Sequence, residues 1–301
     1  MGTLSPKPIL VTGMHRSGTT WVGRMLAASR EAIYLHEPLN PVCAPALLHV
    51  DVGPQYLYVT EENEDVYLPA FRRLLDLPLD SSSLERTASQ RLRRVVRLAH
   101  ARATRARPLP KDPFAVFSIP WFAGRLGADV VAVVRHPLAL AGSAKRLDWG
   151  FDTRWLLDQP LLMRDRLEPQ RGALEAPPTN VVGQTALLWR LVHEAIRDYA
   201  RKLPQVRVVL HEELSREPLA EYRRLYDSLG LTFGRRVERA IERTTRSSNP
   251  PETRPEQPDA IELDSRSNLD TWRSRLTEEE AELVRRETAD AARAFYGNDS
   301  G

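Results

Sequence analysis

Cysteine occurs once in the 301 residues, at Cys43. A single thiol closes no intrachain disulfide and supplies no zinc cluster. Apolar runs approaching the roughly 20 residues of a membrane-spanning helix are lacking. So is the hydrophobic stretch of a secretory leader, because Pro6, Lys7 and Pro8 interrupt the start of the chain. Internal repeats are lacking, as are RNP, zinc-finger and helix-turn-helix signatures. These absences lead us to expect a cytoplasmic enzyme of bacterial type, without a metal site and without a nucleic-acid partner. Neither sign of charge dominates: the net charge of +3 admits anionic ligands without demanding nucleic acid. What is present, 42% hydrophobic and 28% charged residues, is an ordinary globular composition. The length suits a single large α/β domain over residues 1–301.

A Walker A lysine is lacking as well. Ile9-Leu10-Val11 has the length of a buried parallel strand, and Trp21 to Ala28 reads as a helix with Val22, Met25 and Leu26 on one face. Between them, Gly13 and Gly18 stand at the separation of the two Walker A glycines. Strand, glycine loop and helix form an anion cradle, because loop N–H groups and the open helix N-terminus aim at one spot. A nucleoside-triphosphate site would follow the second glycine with a lysine and a Mg²⁺-binding hydroxyl. Here the residues are Thr19 and Thr20, and the cation is Arg16, inside the loop. Two hydroxyls and one guanidinium suit a donor less charged than ATP, such as a phosphosulfate.

Three further stretches carry chemistry. Ala128 to Val134 is the clearest buried strand. It delivers Arg135, and Pro137 then opens a helix with Ser143 about two turns in. An arginine fork and a hydroxyl together grip a phosphomonoester. Ala32 to Leu35 is a second strand, stopped by Pro38 and Pro41, so that Glu37 stands at a strand's carboxyl end. Open α/β sheets bind ligands at that edge. His15 and His36 compete with Glu37 as a base, since imidazole titrates near neutrality. Lys111-Asp112-Pro113 is a turn.

Arg16-Ser17-Gly18-Thr19-Thr20-Trp21 resembles the 5′-phosphosulfate loop of sulfotransferases that use 3′-phosphoadenosine-5′-phosphosulfate (PAPS). Arg135 with Ser143 resembles the 3′-phosphate site of those enzymes, and the segment from Ser265 to Trp272 and Arg273 is similar to their donor-closing C-terminal stretch. His211-Glu212-Glu213-Leu214, Pro218 and Leu229-Gly230-Leu231 resemble a scaffold stretch common among them. The resemblance spans most of the chain and lies nearest the carbohydrate and tyrosylprotein branch. It implies an α/β, P-loop-like three-layer fold with a central parallel sheet flanked by helices. It also implies PAPS as donor, no metal, and sulfuryl transfer to a hydroxyl of a sugar, glycan or secondary metabolite. By the same resemblance Glu37 is the catalytic base, while Arg16 and Lys111 stabilise charge on the sulfuryl and the leaving phosphate. Ser17, Gly18, Thr19, Thr20 and Trp21 hold the 5′ end of the donor, and Arg135 and Ser143 its 3′-phosphate. Trp272 and Arg273 close over adenine and that phosphate, unless Trp272 is a core tryptophan. The family's further arginine in the Ser143 helix would fall at Leu147, with Arg146 one place away. Two other readings stay open: a P-loop kinase using ATP on a small alcohol, which Thr19 opposes, and a module that binds polyanions.

That last reading rests on Leu84 to Ala106, a helical pattern with Leu84, Ala88, Leu92, Val95, Val96 and Ala99 as its apolar stripe. Arginines crowd its other faces as far as Arg107, which suits an anionic or membrane-associated acceptor. Ser81-Ser82-Ser83 reads as the turn and cap ahead of it. Residues 148–182 read as a loop-rich acceptor lid and 244–262 as a flexible loop. Helices are expected over 119–126 and 184–202, a strand over 206–210, and a last helix capped by Thr277 and Glu280. Oligomeric state is not legible.

Overall fold

Five short strands make the frame of the computed structural model, which describes residues 6–79, 87–254, 257 and 260–297. They are β1 (Ile9–Gly13), β2 (Ala32–His36), β3 (Arg107–Lys111), β4 (Asp129–Val134) and β5 (Val206–Leu210). All pair in parallel, in the order β2-β3-β1-β4-β5. The principal helices are α1 (Thr19–Leu26), α2 (Tyr67–Leu75), α3 (Ala88–Ala103), α4 (Ile119–Arg125), α5 (Pro137–Leu147), α6 (Val181–Lys202), α7 (Pro218–Leu229), α8 (Arg235–Thr245) and α9 (Glu278–Tyr296).

Side chains alternate across a strand, so a sheet covered on both faces needs apolar residues at every position. β1 meets that demand from Ile9 to Val11 and β4 from Val130 to Val134. Leu10, Val130, Ala132 and Val134 enter one core, with Leu188, Leu191 and Val192 of α6. Ile9, Val11, Val131 and Val133 enter the other, with Val22 and Leu26 of α1 and Tyr222, Leu225 and Tyr226 of α7. The result is the three-layer α/β arrangement expected from the sequence. No helix among the described residues is long and apolar enough to cross a membrane.

Local chemistry places several ends as expected. Thr277 and Glu280 form a capping box on α9. α6 starts three residues ahead of its expected position, because the Asn180 side chain accepts the Gly183 N–H at 2.7 Å.

Three expectations need correction. Arg107, expected to extend a helix, opens β3, an interior strand containing Pro108 and Pro110. Prolines are tolerated there because of parity. The Arg107 N–H faces β2 and bonds Glu31 O, whereas the Asp112 N–H faces β1 and bonds Val11 O. The even positions therefore face β1, and β3 meets β1 only at Val11 and Lys111. The arginine helix runs only from Ala88, where Thr87 and Gln90 form a capping box, to Ala103. Ser81 to Ser83 and Leu84 lie outside the described residues. Leu98 and Ala101 are its buried residues, while Leu92 and Val96 of the expected stripe are 65% and 59% exposed. Within 148–182, expected to be a loop-rich lid, residues 154–175 are a series of short helical turns that bury Leu156, Leu162, Met163, Leu167 and Leu174.

The chain leaves β1 toward β2, and leaves β4 toward β5 on the other side. The boundary between β1 and β4 is therefore the switch point, and a crevice opens at their carboxyl ends.

Candidate functional site

At that crevice lies a cavity of about 610 Å³. The loop after β1 forms its floor. At Gly13, where φ is 150°, a Cβ would come within 2.3 Å of the Val133 carbonyl oxygen, so only glycine lets β1 end this close to β4. Arg16 sits in the left-handed region at φ 68°, and the Ser17 N–H closes the turn on Met14 O at 3.0 Å. Gly18, at φ 96°, begins α1 without a capping side chain, which leaves the first helical N–H groups open. A Cβ at Gly18 would lie 2.6 Å from the His211 ring. Gly18, Thr19, Thr20 and Trp21 line the cavity. Ser17 is fully buried behind them, its hydroxyl without a hydrogen-bond partner.

Arginines gather at one end. Arg135, at the tip of β4, donates to Arg16 O at 3.0 Å and to Asn268 Oδ1 at 2.7 Å, and its Nε has no partner. Burial holds its pKa below the ordinary arginine value. Arg16 Nε donates to Ser143 Oγ at 3.4 Å, and its guanidinium lies over the Trp149 ring. Arg146 and Arg275 complete the group. Burial, and then the charges of Arg146 and Arg135, pull Arg275 down to about 10. Both were missed as site residues from sequence. Arg146 had a signal: it follows Ser143 by three positions on α5 and so shares its face. Arg275 had none.

The other end holds acid chemistry. The Glu37 N–H donates to Lys111 O at 2.8 Å. Its carboxylate pairs with the Lys111 ammonium and accepts from Asn40 Nδ2 at 2.6 Å. Lys111 is fully buried, its stem packed beneath Gly23. Burial pushes the Glu37 carboxyl up, but the charge of Lys111 and the hydrogen bonds from Lys111 and Asn40 outweigh it and hold Glu37 below the usual glutamate value. Behind the pair, Asp112 accepts from the N–H groups of Leu39 and Phe114, pinning the turn after β2 to the end of β3. Burial, reinforced by the charge of Glu37, pushes Asp112 up to about 7.

Of the three candidate bases, Glu37 and His15 line the cavity and His36 does not. Burial, and then Arg16, lower His15 to about 4, and its Nδ1 is 2.8 Å from the Tyr56 hydroxyl. Trp272 and Arg273 also lie outside the cavity wall. Trp272 packs against Gly142 of α5, in a cluster with Leu138, Val182 and Val284. Arg273 is exposed and pairs with Asp270. The fold thus gathers Arg16, Gly18, Thr19, Thr20, Trp21, Glu37, Arg135 and Ser143 around one space, with Ser17 and Lys111 directly behind. Phe114, Trp149, Phe151 and Trp155 form an aromatic wall near Asn40 and Gln55.

A glycine loop at the switch point of a parallel sheet, facing arginines on one side and an ionised carboxylate on the other, defines a P-loop-like site for an anionic group donor. The chain belongs to the sulfotransferase family, whose model matches residues 8–235. A search of curated protein sequences found no match. Similar solved structures include the sulfotransferase domain from the Synechococcus PCC 7002 olefin synthase, 16% identical, covering 95% of this chain and 96% of that one at a TM-score of 0.48. Sulfotransferase STF9 from Mycobacterium avium is 17% identical, covering 99% of this chain and 79% of that one at a TM-score of 0.48. Mouse sulfotransferase SULT7A1 complexed with PAP is 13% identical, covering 98% and 87% at 0.47.

Proposed function

We propose that this sulfotransferase takes its sulfuryl group from PAPS and passes it in line to an acceptor hydroxyl. The observation that carries the donor is the second anion site: Arg135 and Ser143 stand beyond the glycine loop, beside Arg16. PAPS has a 3′-phosphate to place there, and ATP has no such group. The unpartnered Nε of Arg135, a residue that lines the cavity, fits an anionic ligand. Ser17 to Thr20 would hold the 5′-phosphate with hydroxyls and helix N–H groups.

In this reading the acceptor oxygen bonds to sulfur as the bond from sulfur to the nucleotide's bridging oxygen breaks. Glu37 takes the acceptor proton. Arg16 and Lys111 stabilise charge on the sulfuryl group and on the departing phosphate. The aromatic wall offers flat apolar faces and Asn40 and Gln55 offer hydrogen bonds, which supports a sugar or similar hydroxylated ring as acceptor. α3 carries five arginines and no acid, with Leu92 and Val96 exposed. That favours an acceptor that is anionic or membrane-associated.

Calorimetric titration with 3′-phosphoadenosine-5′-phosphate (PAP), 5′-AMP and ATP tests the donor. Tight binding that requires the 3′-phosphate is expected. Equal or better binding of ATP would overturn the reading in favour of a small-molecule kinase.

The pH profile tests the base. Glu37 is depressed below 4.5, so its active, ionised form persists at neutral pH and is lost only as pH falls through that lowered value. In Lys111→Met the burial effect stands without its largest opponent. The acid limb of kcat/KM is therefore expected to move to higher pH, whatever the change in rate. A limb left in place would separate Lys111 from the ionisation of the base.

A further inference from the structure

Glu252 and Thr253 line the arginine end of the cavity. One Glu252 carboxylate oxygen pairs with Arg275, and the other lies 3.6 Å from Arg146 Nε. Thr253 accepts from Arg146 at its carbonyl (2.9 Å) and its hydroxyl (3.1 Å), and the hydroxyl also accepts from Arg16 at 3.3 Å. The Pro251 carbonyl accepts from Asn268 Nδ2 at 2.7 Å, and Asn268 Oδ1 in turn accepts from Arg135. Every arginine of the cluster thus touches this segment, directly or through Asn268. The segment presents one carboxylate, one hydroxyl and two carbonyls to this cluster, the kind of acceptor oxygens that a phosphate offers.

Four guanidiniums gathered in a partly buried space repel one another and call for an anion. Burial, and after it the charges of Arg146 and Arg135, lower Arg275. Glu252 supplies a single negative charge from a side chain that is 27% exposed, so it can turn outward to water when something better arrives. A phosphomonoester is better: it brings nearly two charges and three acceptor oxygens to fork-shaped donors.

We propose that Glu252 is an internal stand-in for the donor's 3′-phosphate. It holds the arginine cluster when no nucleotide is bound, and it yields to the 3′-phosphate on binding. By returning, it competes with PAP after transfer and hastens product departure, a step that often limits turnover. This inference rests on the PAPS reading above.

Glu252→Gln and Glu252→Asp test it, with PAP and ADP titrated calorimetrically and PAP dissociation followed by stopped flow. Glu252→Gln is expected to bind PAP about tenfold tighter and to release it correspondingly more slowly, with ADP affinity held within about twofold. Glu252→Asp keeps the charge but is one methylene short of Arg275, so an intermediate gain is expected. Unchanged or weaker PAP binding by Glu252→Gln would overturn the proposal. Equal tightening of PAP and ADP would overturn it too, because the lost charge would then act only through the general field. Wild-type protein that binds ADP as well as PAP would instead sink the donor reading itself.

Discussion

Glu37→Gln is expected to lower kcat by about a hundredfold or more, the contribution of a general base, with PAP affinity nearly unchanged. The amide has the shape of the carboxylate and its single oxygen can keep the bond from Lys111 while the bond from Asn40 is lost; the turn after β2 stays pinned by the Glu37 N–H on Lys111 O and by the Leu39 N–H on Asp112. What is lost is the ability to take a proton. A second effect is expected because Lys111 has no exposed surface. The substitution leaves a buried ammonium without its counter-charge, which destabilises by about 3 kcal/mol when a buried pair is broken. Single-turnover rates, PAP titration and chemical denaturation separate the two. A loss of stability with unchanged turnover would remove Glu37 from the chemistry and leave His15, the other candidate base that lines the cavity, as the base to test.

Arg135→Ala is expected to weaken PAP binding by about a hundredfold, the scale of two lost hydrogen bonds to a charged group. 5′-AMP should lose less. In the proposed reading Arg135 would grip the 3′-phosphate directly, whereas it reaches the glycine loop through its bond to Arg16 O. Arg135→Lys should recover little, because an ammonium cannot span Arg16 O, Asn268 Oδ1 and a phosphate with one planar fork. Titration of PAP and 5′-AMP against both variants checks this. Equal losses for the two nucleotides would mean that Arg135 orders the loop rather than reading the 3′-phosphate.

These expectations draw on residues that were unequally legible. Gly13, Gly18 and Thr19 could be read because loop geometry is local: φ angles and close backbone approach leave glycine at fixed separations. Arg135 could be read because it ends a continuous apolar strand. Arg146 was obscured by counting motif positions, when its helical phase relative to Ser143 is what places it in the cavity. Trp272 lies near the donor cavity in sequence resemblance but joins the core against Gly142. β3 escaped notice because the helical pattern was carried as far as Arg107 and a turn was read from Lys111, and only the strand order shows that the missing N–H groups of Pro108 and Pro110 face the short pairing with β1. On α3 two stripes were available, and Leu98 and Ala101 rather than Leu92 and Val96 met the core.

The sequence by itself determined the parallel α/β class, the glycine loop, the capping of the last helix and the strand ends that carry Glu37 and Arg135. Each follows from periodicity, backbone freedom or hydrogen bonding within a few residues. Only the tertiary structure decided which charges face one another. Lys111 meets Glu37 across 74 positions, Arg135 meets Asn268 across 133, and Arg16 meets Thr253 across 237. Such pairings depend on how distant segments pack over a common sheet edge. The strength of each charge there, from the ionised Glu37 to the lowered Arg275, depends on how much water that packing removes and on which charges it brings alongside.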